Sequence, residues 1–171
     1  MISFIKIYIL SYDTILSLII SLLGLYFLPN CVDGELVKDL LGVGIGVLSI
    51  VFSIFFAALA FIISASDDEF VSFLEETGLF SQLIDTFKWT VGSLFISLLY
   101  SIVLYIIVAF NLSFNNDFKI NEYLIALFCF LFFYSLFATV LSTNDAIKYS
   151  KKRITYIEIS QRLKKEGEEK K

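Results

Sequence analysis

Four apolar runs constrain this chain more than any other feature. They cover about residues 7–28, 39–64, 89–110 and 123–142, and charge is nearly absent from all of them. Each reaches the ~18 residues at which a membrane-spanning helix becomes the default reading. A backbone in hydrocarbon must satisfy its own hydrogen bonds, and a single segment can do so only as a helix. The alternating pattern of a membrane barrel is absent. The expectation is therefore an all-α, integral membrane four-helix bundle.

Charge supports the reading by where it falls. Charged residues are 18% of the chain and apolar residues 58%. The charges lie in short segments between the runs, whereas a soluble helical fold needs polar faces along its helices. The first run is not expected to be a cleaved signal peptide: its one early cation is Lys6, its apolar stretch is too long, and no small-x-small site follows. Lysine outnumbers arginine 11 to 2, which fits an AT-rich bacterial or phage genome.

The distribution of cations sets an expected orientation. Nine of the 13 Lys and Arg lie from Lys148 onward. Positive charge marks the cytoplasmic side, so the tail is expected inside, and four spans put the N-terminus inside as well. Only Lys38 and Lys119 then lie outside, in loops of about ten residues. Trp89 beside Lys88 suits the inner interface. This gives a membrane domain over residues 1–147 and a basic cytoplasmic tail over 148–171, in a bacterial inner membrane.

Two cytoplasmic segments carry recognisable features. The loop over residues 66–87 opens Ser66-Asp67-Asp68-Glu69, a capping box whose acids complement the helix dipole. It predicts a short amphipathic helix to about Glu76, stopped by Gly78, with Phe70, Phe73 and Leu74 on one face. That face either packs under its own bundle or docks a soluble cytoplasmic protein partner. The tail holds Lys151, Lys152 and Arg153, then the β-branched stretch from Ile154 to Ile159, which suits either a continuation of the fourth helix or a short strand. Its cations suit anionic lipid, the acidic loop or a partner. Glu158, Glu166, Glu168 and Glu169 dilute the charge, so direct nucleic-acid binding is not expected.

Inside the membrane, the second run holds the clearest pattern. Gly42, Gly46, Ser49, Ser53, Ala57, Ala60 and Ser64 alternate i+4 and i+3, forming one stripe of small residues. Such stripes let helices approach closely, within a chain or between copies in a homo-oligomer. The alternative is a water path lined by the stripe in an oligomeric pore. Shorter versions are Thr14, Ser17, Ser21 and Gly24 in the first run, and Ser93, Ser97 and Ser101 in the third. The fourth run is bulkier, with Phe128, Phe130, Phe132, Phe133 and Phe137, and is expected to face lipid or fill gaps. Asp13 is the main intramembrane acid. Either it is buried, which marks a functional candidate, or the helix enters the bilayer beside it and leaves it wet.

Chemistry is sparse. There is no histidine, which removes His-based triads and most catalytic zinc sites. Cys31 and Cys129 fall at different depths, so no internal disulfide is expected. No metal, cofactor or catalytic constellation is indicated, and the reading is a non-enzyme. Three function classes stay open: a membrane sensor or anchor holding a soluble partner, a small oligomeric pore former, and an accessory subunit of a transporter complex.

In layout, the four runs, the acidic 66–87 loop and the basic tail from Lys148 resemble the small four-span membrane proteins of bacterial antiphage operons. The Kiwa membrane component and lambda-exclusion-type proteins are examples. The resemblance covers the whole chain as architecture and carries no specific motif. It implies a homo-oligomer at the inner membrane that responds to infection and engages a cytoplasmic effector.

Overall fold

The structure, a computed structural model, describes residues 12–27, 31–64, 71, 78–114 and 118–169. It is a bundle of four helices joined by one small strand pair. The elements are α1 Tyr12–Phe27, β1 Cys31–Asp33, α2 Gly34–Ser64, α3 Leu79–Phe114, β2 Lys119–Asn121 and α4 Glu122–Glu169. The acidic segment with Asp67, Asp68, Glu69, Phe70 and Phe73 lies outside the described residues. So does Glu76, the expected end of its amphipathic helix.

Helix ends follow local chemistry. The single proline, Pro29, follows α1 in the sequence, where it cannot continue a helix. Glu35 and Glu122 put negative charge in the first turns of α2 and α4. Asn121 starts α4 by accepting the Tyr123 amide on its side-chain oxygen at 2.9 Å. Gly78 takes the left-handed conformation, φ 67°, and its carbonyl accepts the Gln82 amide at the start of α3.

The strand pair was not expected from the hydropathy pattern. β1 and β2 run antiparallel, with Val32 opposite Ile120 and Asp33 opposite Lys119. Val32 and Ile120 are buried, and they join Val37, Leu41, Leu104, Val108, Ile125 and Phe128 in the apolar core. The two loops between helices are thus tied to one another. All four helices meet the pair at one end: α1 and α2 flank β1, and α3 and α4 flank β2. Consecutive helices therefore run in opposite directions.

Packing does not follow sequence order. α2 packs on α3, α3 on α4, and α4 on α1, while α1 and α2 barely touch. The order across the bundle is α2–α3–α4–α1. α4, expected to face lipid or fill gaps, is central and touches all three others. Phe128 is buried in the core, and the other phenylalanines of this helix are half-buried. The lipid-facing expectation therefore gives way to the gap-filling one.

Three of the helices outreach their predicted spans, and α1 covers part of its own. α2, α3 and α4 are long and apolar enough to cross a bilayer, and α1 is a shorter apolar helix. The exposed surface is 11553 Å², well above the roughly 8,500 Å² of a compact chain of this mass. Large apolar side chains such as Val43, Ile54 and Phe61 stand at least 60% exposed. A water-soluble monomer does not leave such surface open. This is a membrane protein. The tail, strand or helix by its sequence, is helical and continuous with α4 through Glu169.

Candidate functional site

Each apolar helix carries hydroxyls, and the structure sorts them by face. The third and fourth helices meet along a seam of them. Thr90, Ser97, Ser101, Ser135 and Ser142 are almost wholly buried there, with Thr86 and Thr139 close behind. Ser97 donates to the Leu131 carbonyl at 2.9 Å. The Ser97 and Ser135 hydroxyls share a hydrogen bond at 2.6 Å, and Ser135 also reaches the Ser93 carbonyl at 3.2 Å. Thr90 donates to the Thr86 carbonyl, and because one hydroxyl has one proton it accepts from Ser142. Among the described residues, no buried side-chain nitrogen or oxygen lacks a partner.

Span three supplied a visible half of this seam in Ser93, Ser97 and Ser101. The other half, Ser135, Thr139 and Ser142, carries a weaker sequence signal: spacing of i, i+4, i+7 that begins just past the aromatic cluster of Phe130, Phe132, Phe133 and Tyr134. Small side chains at those positions let α3 close on α4, and the phenylalanines fill the flanks.

The short stripe of α1 is also a packing face. Ser17 and Ser21 are buried, and Ser21 donates to the Ala126 carbonyl of α4 at 2.7 Å. Asp13 lies on the same face and is only 6% exposed. Of the two readings of this acid, the buried one fits. Asp13 sits about 12 Å from Ser21 along the helix, on the side away from the strand pair. Ionisable side chains inside membrane spans are rare and costly.

The long stripe of α2 behaves differently. Gly42, Gly46, Ser53, Ala57 and Ala60 are exposed, and Ser49 is half-buried. A methyl group added at Gly46 would meet nothing within 4 Å, and one at Gly42 only the Tyr105 ring edge at 4.0 Å. Ser53 spends its proton on the Ser49 carbonyl of its own helix. The face that packs inward holds Val37, Leu41, Gly44 and Leu48. Gly44 is the glycine that permits close approach, since a Cβ there would lie 2.6 Å from Cζ of Phe128. Among the described residues, then, the most regular small-residue stripe is left largely exposed.

The end away from the strand pair is polar. α3 and α4 continue together past the apolar spans, with Leu83 and Phe87 buried and Phe80 near Tyr149 at 6.4 Å between ring centres. Lys148 pairs with Asp145 at 2.9 Å. Of the tail cations, Lys151 and Lys152 are exposed and Arg153 is half-buried. The acidic loop residues lie outside the described part.

No family model, curated protein or solved structure matches the chain.

Proposed function

We propose that the chain is an oligomeric anchor or sensor of the bacterial inner membrane, crossing it four times with both ends inside. In this reading it docks a soluble cytoplasmic protein, and antiphage defence is the setting suggested by its layout. One observation carries the proposal: α4 is a single helix of 48 residues. Such a helix is ~72 Å long at 1.5 Å per residue, against a ~30 Å hydrocarbon core. Starting at the outer loops, it leaves ~40 Å projecting beyond the membrane. The central helix of the bundle and the basic tail are therefore one mechanical element. A partner gripping Lys151, Lys152 and Arg153 is coupled directly to the packing of α4 in the bilayer. The acidic loop, with Asp67, Asp68, Glu69, Phe70 and Phe73, is a second candidate grip.

The outward stripe of α2 supports assembly with a second copy, because small residues let helix backbones approach. The pore reading draws less support. The α2 stripe that would line its water path keeps the Ser53 hydroxyl bonded to the Ser49 carbonyl of its own helix, and the hydroxyls of α3 that could serve instead are buried in the α3–α4 seam. An accessory role in a transporter complex uses the same α2 face and differs only in what covers it.

The test is the mass of the particle purified in gentle detergent from its native host. The expected result is several copies with a stoichiometric soluble protein. Reversing the charges of Lys151, Lys152 and Arg153 to glutamate is expected to release that protein and keep the oligomer. A lone monomer would sink the reading, and a copurifying transporter would replace it with the accessory role.

A further inference from the structure

Two cavities lie along one side of the α3–α4 seam. Gln82, Thr86, Trp89, Ser93 and Ile96 of α3 alternate i+4 and i+3, so they share a helix face. On α4, Asp145 and Lys152 lie eleven and eighteen residues past Tyr134, about three and five whole turns, and so share another. The cavity nearer the tail is a cup of about 210 Å³ with an apolar floor at Leu83 and with Gln82, Thr86, Asp145, Lys148 and Lys152 around it. The deeper one is an apolar trough of about 220 Å³ among Trp89, Gly92, Ile96, Leu131 and Tyr134, with Lys88 at its rim. The Trp89 indole N–H donates to the Tyr134 hydroxyl at 2.8 Å, which holds both rings along the trough.

Depth and charge identify the occupant. With the outer end of α4 near Tyr123, a ~30 Å hydrocarbon core ends near Thr143 and its midplane falls near Tyr134. The cup thus sits at headgroup level, and the trough runs down to the middle of the bilayer. Asp145 and Tyr134 are ~16 Å apart along α4, within the ~20 Å of a single leaflet. The cup carries two cations and one acid, so its net charge is +1. The Lys148 ammonium lies 2.9 Å from Asp145 at the cup. An added side chain at Gly92 would meet nothing within 4 Å, so this glycine leaves open space.

The geometry points to a binding site for one anionic phospholipid of the leaflet on the tail side. Its headgroup phosphate occupies the cup between Lys148 and Lys152, and an acyl chain lies in the trough over Gly92. The site rests on the expected depth of α4 and not on the proposed docking role. Its occupancy bears on α4 at the point where the helix leaves the bilayer.

The test uses the full chain, delipidated in detergent and titrated with phosphatidylglycerol, phosphatidylcholine or inorganic phosphate, with bound adducts read by native mass spectrometry. Phosphatidylglycerol is expected to bind about fivefold better than phosphatidylcholine, the preference that one net cation at the membrane surface supplies. The K148Q/K152Q double variant is expected to lose that preference and retain weak binding of both lipids. G92L fills open space without a clash, so it is expected to fold and to lose both lipids. The proposal is overturned if K148Q/K152Q keeps the preference or if G92L binds lipid like the parent chain. It is also overturned if millimolar phosphate displaces phosphatidylglycerol, since the site would then hold a free anion. Partner loss in a K151E/R153E variant, which keeps Lys148 and Lys152, without change in lipid binding separates this site from the docking role.

Discussion

Ser97 and Ser135 hold their hydroxyl oxygens 2.6 Å apart across the α3–α4 seam. Ser97 passes its own proton to the Leu131 carbonyl, so the two helices are joined side chain to side chain and side chain to backbone at one level. In hydrocarbon an unmade bond has no water to fall back on, yet lipid-facing alternatives exist in the unfolded reference state. The net contribution of each bond is therefore modest.

Alanine at either serine is expected to cost about 0.6 kcal/mol, and at most ~1.7 kcal/mol. A double-mutant cycle on Ser97→Ala and Ser135→Ala is expected to show coupling of similar size. Ser135→Leu overfills the seam and should cost about 1–3 kcal/mol. Unfolding in mixed detergent micelles measures all of these. Additive single variants would show that the two hydroxyls do not interact.

Gly44 and Gly46 separate packing within the chain from packing between copies. At Gly44 even alanine forces the buried Phe128 ring to move, for about 1–3 kcal/mol of lost stability. At Gly46 leucine has open space, so stability of the single chain is expected to hold while the oligomer dissociates. Thermal midpoints and particle mass in detergent give the two readouts. An intact oligomer in Gly46→Leu removes α2 from the interface.

Asp13 is expected to tolerate asparagine, which preserves size and hydrogen bonding, far better than leucine. Asp13→Leu leaves whatever polar group faces the acid without a partner, for about 1–3 kcal/mol. Protein yield and unfolding midpoint check this. If Asp13→Asn folds and keeps every biological activity of the parent, the carboxyl has a structural role and no functional one.

Topology is open to a direct experiment. Alkaline phosphatase fused after Glu169 is expected to be inactive, and fused at Lys119 active, because the enzyme needs an oxidising compartment. The opposite pattern inverts the molecule and moves the lipid site to the outer leaflet.

Much of this fold was readable in advance. The spans appeared because long uncharged runs have few solutions in hydrocarbon, and the hydroxyl spacing on α1 and α3 marked real packing faces. The strand pair escaped because β1 and β2 have three residues each, too few for a periodic signal, and they form only by meeting each other. The inner side of α4 escaped because its hydroxyls lie among phenylalanines that dominate any average. The lipid cavities escaped because each needs residues from two helices distant in sequence.

By itself, the sequence determined that these segments are helices and that they belong in a bilayer, because backbone satisfaction and hydropathy leave no alternative. It also determined that α2 carries a small-residue face. Only the tertiary structure decided that this face points outward. Small residues permit close approach without choosing a partner, whereas Gly44 and the buried row of Val37, Leu41 and Leu48 fit Phe128 and the core around it. Shape complementarity between distant segments made that choice, and a one-dimensional pattern does not contain it.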